Sequence, residues 1–219
     1  MKIFLLDKNS EMCKAWEKSF SEDDVTISCT EFASFMKEKI DIDCIVSPAN
    51  SFGIMDGGYD AAITDYFGDD LMKKVQKKIK ELYKGIQPVG SAITVGIDHN
   101  TKLIHVPSMM FPEKITDYKV IFQCMLSTLI EAGNNDVKKI VIPAFGACTG
   151  HVPFNIVAEM MHEAYCFYFS PTTATDDWVK INTLVSSLER IKTSDKNKAR
   201  LTHTNRDIIL IDHERTIRI

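Results

Sequence analysis

Several features are scarce or missing in this chain, and each absence removes a class of protein. No apolar stretch approaches the length needed to cross a bilayer, and the N-terminal run within Met1 to Asp7 is too short for a secretory signal. The six cysteines (Cys13, Cys29, Cys44, Cys124, Cys148 and Cys166) are scattered, with no CxxC pair, so neither a zinc site nor a dense disulfide framework is expected. A reducing cytoplasm is the expected compartment. Net positive charge is also missing: a formal charge of −4 gives no global attraction to nucleic acid or an anionic membrane, and neither is expected as a partner. A single-stranded nucleic-acid module would need a basic groove with exposed aromatics. The turn after the first strand, Lys2 to Leu6, has no glycine, which argues against a dinucleotide-binding G-x-G-x-x-G, and no Walker A motif occurs. No cofactor or metal is called for.

What is present is a soluble globular composition, 45% hydrophobic and 26% charged over 219 residues, enough for one domain or one domain with an appendage. The chain is organised around Asp43 to Ile63. A buried strand from Cys44 to Val46 leads into a loop carrying Pro48, Asn50, Gly53, Gly57 and Gly58, and a helical pattern begins near Tyr59. A glycine loop feeding a helix N-terminus suits a phosphate, because backbone N–H groups and the helix's partial positive charge both face the anion. No Lys or Arg occurs between Ile45 and Tyr66, so an anion held here rests on backbone dipoles. The alternative is a purely structural turn.

The pattern repeats further on. Lys139 to Ile142 reads as a buried strand and delivers P-A-F-G-A-C-T-G-H-V-P, Pro143 to Pro153, before a helix from Phe154 to about Phe167. Between the two loops lie helices at Gly58 to Phe67 and Asp69 to Tyr83, strands at Ser91 to Val95 and Lys102 to Val106, and a helix from about Asp117 to Ala132 stopped by Gly133-Asn134. Asn9 or Ser10 caps a first helix to about Phe20, and Val25 to Cys29 reads as the second strand. His105 reads as a core histidine; Pro107 to Pro112 is either a pocket wall or a covered crossover.

The two loops together resemble those of macro domains, whose first ligand loop runs roughly N-A-A-N, a glycine cluster and V-D-G-A-I. Ser47-Pro48-Ala49-Asn50 takes the first place, Asp56-Gly57-Gly58 the glycine cluster and Tyr59-Asp60-Ala61-Ala62-Ile63 the last, without a gap. The wording S-P-A-N-S-F-G-x-M-D-G-G is similar to a bacterial and phage-type branch of the family. In the second loop Gly146 and Gly150 match, while Ala147 and Cys148 replace a hydroxyl residue and a glycine. The resemblance covers roughly Val25 to Tyr168. It implies a three-layer α/β/α fold with a mixed central sheet and a ligand crevice at the strand ends, in keeping with the alternation of strands and helices.

The ligand so implied is ADP-ribose, a related NAD-derived metabolite or an ADP-ribosylated substrate, and two activities stay open: hydrolysis of an ADP-ribosyl bond, or non-catalytic sensing. By resemblance, Asn50 contacts the distal ribose and Asp60 orients or activates water; Asp60 otherwise serves only the first helical turn. Asp56 is the alternative carboxylate. Ligand contacts fall on Ala49, Asn50, Asp56, Gly57, Gly58 and Tyr59 in the first loop, and on Gly146, Ala147, Cys148, Thr149, Gly150 and His151 in the second. Glu31 takes the adenine-side acid's place, or is simply a helix-start acid. A side chain at Cys148 would narrow the phosphate groove if that position needs positive φ. The domain is expected over residues 1–170. Residues 171–219 are expected to be an extension packed on it: an amphipathic helix from Asp176 to Ile191, a polar linker from Thr193 to Asn205, and a last strand at Asp207 to Ile211.

Overall fold

A computed structural model describes residues 1–38, 41–170, 178–179 and 181–193. Two units divide the chain, Met1–Thr172 and Thr173–Ile219. In the first, β1 (Lys2–Asp7), β2 (Val25–Cys29), β3 (Cys44–Ser47), β4 (Ile93–Gly96), β5 (Lys102–His105) and β6 (Lys139–Pro143) form one sheet in the order β2-β1-β6-β3-β5-β4. All neighbours are parallel except the edge strand β4, which runs antiparallel to β5. The expected mixed sheet is thus the one the chain adopts.

Both faces are covered, which is why the central strands read as unbroken apolar runs rather than alternating ones. Phe4, Leu6, Ile45, Leu103 and Val141 point to one face and join Phe32 and Phe35 of α2 (Phe32–Met36), Ile63 of α3 (Gly58–Phe67) and Leu71, Val75 and Ile79 of α4 (Asp70–Tyr83). Side chains of alternate parity (Ile3, Leu5, Ile140, Ile142) are buried as well. Their face is that of α1 (Ser10–Ser19), α5 (Lys119–Asn134) and α6 (Phe154–Phe169), with α6 packed on both α1 and α5. The result is three layers. Asn9 caps α1 as its position suggests, its side chain accepting from the Glu11 N–H at 2.9 Å.

One stop signal is different from the expectation. α5 runs through Gly133 and Asn134 and is capped by Asn135, with Asp136 taking the left-handed φ of 56°. Gly133 is small for packing, since a Cβ there would collide with the Tyr168 hydroxyl of α6.

In the second unit residues 178–179 and 181–193 are helical. Of the expected apolar stripe, Leu188 and Ile191 are buried, Ile181 and Leu184 half-buried, and Trp178 and Val185 exposed. The expected linker beyond Thr193 and the strand at Asp207 to Ile211 lie outside the described residues. Among the described residues no helix is long and apolar enough to cross a membrane.

Because β1, β2, β3, β5 and β6 are parallel, the loops that follow them gather at one edge of the sheet. The chain leaves β1 toward β2 and leaves β3 toward β5, in opposite directions with β6 between them. Open α/β sheets hold ligands where connections diverge in this way.

Candidate ligand crevice

The loop after β3 is stitched to the segment after β5. Val106 N–H donates to Ser47 C=O at 2.9 Å, Ser108 N–H to Ala49 C=O at 3.4 Å and Ser51 N–H to Met109 C=O at 3.2 Å. Pro107 and Ser108 are accordingly buried under the first loop, while Met110 and Phe111 stay exposed at its rim. Asn50 closes the loop on itself. Its Nδ2 donates to Ile54 C=O at 2.9 Å, and its Oδ1 accepts from the N–H groups of Phe52 at 3.1 Å and Ile54 at 3.3 Å. The amide expected to meet a ribose hydroxyl is therefore engaged in shaping the loop. Asn50→Ala should destabilise the fold by about 1–3 kcal/mol through unpaired backbone groups, and ligand affinity should fall with it. Urea unfolding beside calorimetric titration of the same variant checks both.

α3 opens the floor of the crevice. Gly57 is its N-cap with φ −136°, and Gly58, at φ +57°, takes a conformation that side chains resist. Nothing lies within 4 Å of where a Cβ would stand on either. The first-turn N–H groups of a helix have no partner inside it, and the Cβ positions of both glycines at this N-terminus are open. Asp60, in that same turn, does not cap it. Its carboxylate is buried and accepts from Ser47 Oγ at 2.6 Å. Burial pushes its pKa from 3.8 up to about 7, against the opposing effect of the Ser47 hydrogen bond. Such a carboxyl is divided between its two protonation states at neutral pH, as a general base requires.

Tyr59 adds a buried hydroxyl with no hydrogen-bond partner, its ring edge-on to Phe32 at 5.5 Å between centroids. Desolvation holds the phenol well above its ordinary pKa, and the charges of Asp60 and Asp7 push the same way. Asp7, at the end of β1, escaped the sequence reading. It accepts from Asn9 N–H at 2.8 Å, and burial raises its pKa. The only signal it gave was its place before the capping Asn9. Glu31 and Asp56 are exposed, and Glu31 sits 3.6 Å from Lys8 across the ends of β2 and β1. His105 is in the core as expected. Its Nδ1 lies 2.7 Å from Gln87 Oε1, and burial lowers its pKa to about 3, leaving the ring neutral.

The second loop follows β6, the immediate neighbour of β3. Gly146 has φ +70°, and a Cβ there would lie 2.7 Å from Ile115 Cδ1. A Cβ on Gly150 would stand 2.6 Å from Gly146 C=O. These two glycines let the loop curl, with Val152 N–H donating to Gly146 C=O at 3.1 Å, His151 N–H to Cys148 C=O at 3.1 Å and Ile115 N–H to Gly150 C=O at 3.0 Å. Cys148 and Thr149 form an exposed tip beside half-buried Ala147. Cys148 does not adopt positive φ, so the residue replacing the usual glycine carries no backbone strain. The left-handed non-glycine residue is instead the exposed His151, at φ +50°.

The family model of the macro domain matches residues 46–161, which begins in β3 and takes in both loops. The chain belongs to the macro domain family. An uncharacterized protein of Aquifex aeolicus is 31% identical over 127 residues, spanning 57% of this chain and 73% of that one. Among solved structures, a mutant of the Oceanobacillus iheyensis macrodomain with ADPR is similar at 20% identity and a TM-score of 0.51, covering 58% of this chain and 70% of that one. The macrodomain of Mycobacterium tuberculosis DarG is similar at 15% identity and the same TM-score of 0.51, over 58% of this chain and 83% of its own. At those identities the likeness is one of fold, and it places this macro domain's two loops on a shared architecture.

Proposed function

We propose that this macro domain binds ADP-ribose in the crevice between the two loops and hydrolyses an ADP-ribosyl bond with Asp60 as base. The observation that carries the binding reading is the open space over Gly57 and Gly58 at the N-terminus of α3, beside a second glycine loop on the adjacent strand. The pyrophosphate sits on backbone N–H groups of both loops, which suits a site with no Lys or Arg in either. A relative solved with ADPR supports that ligand. Glu31, at the carboxyl end of β2, faces the adenine end, and Asp56 stays at the solvent margin, where its charge does not oppose the phosphates.

For chemistry, the ionised Asp60 takes a proton from water as the water oxygen bonds to the ribose anomeric carbon and the bond to the leaving group breaks. The alternative, a reader without turnover, draws on Asn50, whose amide is engaged in shaping its own loop. ADP-ribose at a hundred times Kd should raise stability by about 2.7 kcal/mol and Tm by about 5–11 °C, and no shift at millimolar ligand overturns the binding proposal. Chromatography after incubation with an ADP-ribosylated protein then separates the two activities: released ADP-ribose marks the hydrolase, and binding without release marks the reader.

A further inference from the structure

At the end of the molecule away from the crevice, three potential metal ligands converge from segments 140 residues apart. His162 and Cys166 stand four residues apart on one face of α6, and Glu22 reaches them from the turn between α1 and β2. Glu22 Oε1 lies 2.9 Å from His162 Nε2, Cys166 Sγ lies 3.4 Å from the same nitrogen, and all three donor atoms fall within 4.8 Å of one another. Glu22 and His162 are held in place. Ser21 N–H binds Glu22 Oε2 at 2.9 Å, which leaves Oε1 for the cluster. The His162 ring is edge-on to Phe20 at 4.9 Å and parallel to Tyr165, whose hydroxyl donates to Asp24 Oδ1 at 2.5 Å and so fastens α6 to the far side of the same turn.

We propose that Glu22, His162 and Cys166 form a zinc site with its fourth position open to water. Bond lengths of about 2.0–2.3 Å to imidazole nitrogen, carboxylate oxygen and thiolate sulfur set the edges of a tetrahedron at roughly 3.4–3.6 Å. The nitrogen–sulfur distance already has that value, the nitrogen–oxygen pair has to open by a few tenths of an ångström as the ion replaces the proton between them, and the oxygen–sulfur pair, within 4.8 Å, has to close onto the ion. One thiolate, one imidazole and one carboxylate suit a borderline-soft ion and do not suit calcium or magnesium, which favour all-oxygen sets. Cys166 is exposed, which gives the ion a way in. No CxxC spacing announces such a site, because two ligands share a helix and the third comes from the other end of the domain.

Cobalt(II) titration of the full chain, freed of metal with chelator, reads the site directly. One equivalent should bring the visible bands of a tetrahedral ion and a thiolate-to-metal charge-transfer band, both removed by zinc. Cys166→Ser should abolish the charge-transfer band, and His162→Asn should weaken zinc binding at least tenfold, while Cys29→Ser, altering another exposed thiol, leaves the spectra unchanged. Circular dichroism confirms that each variant is folded; exposed Cys166 is the safer of the two ligand substitutions. Absence of a stoichiometric tetrahedral spectrum, or its survival in Cys166→Ser, overturns the proposal. Because ADP-ribose need not be present, the outcome is independent of what the crevice binds.

Discussion

Asp60→Asn should lose hydrolytic turnover by about 10²–10⁴-fold and yet melt at a higher temperature than the wild type at pH 8. Both effects come from one buried carboxyl. Its pKa is raised in the fold, from 3.8 to about 7, so the native state holds a proton over a window in which the unfolded chain has released it. The unfolded state binds fewer protons there, and the contribution of Asp60 to wild-type stability must therefore fall as pH rises from about 4 to about 7 and level off above. The rise corresponds to at most about 4 kcal/mol. Asparagine keeps an acceptor for the Ser47 hydroxyl at 2.6 Å but carries no charge to desolvate. The variant should match the wild type at pH 4 and exceed it at pH 8 by up to that amount, or about 8–16 °C in Tm. Turnover has the opposite sign, because the base acts as carboxylate: the wild-type rate should rise through pH 7 and then flatten. Melting curves and single-turnover rates across pH 4 to 8 check both. Unchanged turnover in a stabilised Asp60→Asn would leave the carboxyl as a buried strain and place the base on another group.

The strands and the two loops were legible because each signal is local. Ile3 to Leu6, Cys44 to Val46 and Ile140 to Ile142 are short apolar runs buried on both faces, and each loop's glycines fall between its strand and the helix that follows. Asn50 was legible in kind but not in role: an Asn followed by Ser51, Phe52 and Gly53 carries the mark of an Asx turn, and its amide closes that turn at two and four residues' distance. The Asp60 environment was not legible. A carboxylate in a first helical turn reads as a dipole partner, and only the meeting of α3 with the end of β3, thirteen residues back, turns it toward Ser47 and away from water. The same holds for Gly133, which looks like a stop until Tyr168 is placed against it, and for Glu22 and His162, which share no sequence neighbourhood at all.

The glycines of the two loops should separate folding from binding when each is changed to valine. At Gly57 the backbone is extended, φ −136°, which any residue adopts, and the Cβ position is open, so Gly57→Val should fold with Tm within a few degrees of the wild type. Its branched side chain nevertheless stands over the helix N-terminus, where the phosphates are proposed to lie, and ADP-ribose affinity should fall by a hundredfold or more. Gly58→Val should lose affinity equally and in addition lose about 1–2 kcal/mol of stability, because φ +57° forces valine into a left-handed conformation although no atom blocks it. Gly150→Val should behave differently from both. Its Cβ would press on Gly146 C=O at 2.6 Å and on Ile115 Cδ1 at 2.7 Å, and backbone cannot yield as a flexible side-chain end does. A loss of about 3 kcal/mol or more is expected, with the loop and its binding lost together. Thermal melts and calorimetric titration of the three proteins measure these outcomes, and Gly57→Val is the decisive one. Full affinity in that folded variant would place the anion away from the N-terminus of α3, since its only physical effect is to fill the space above it.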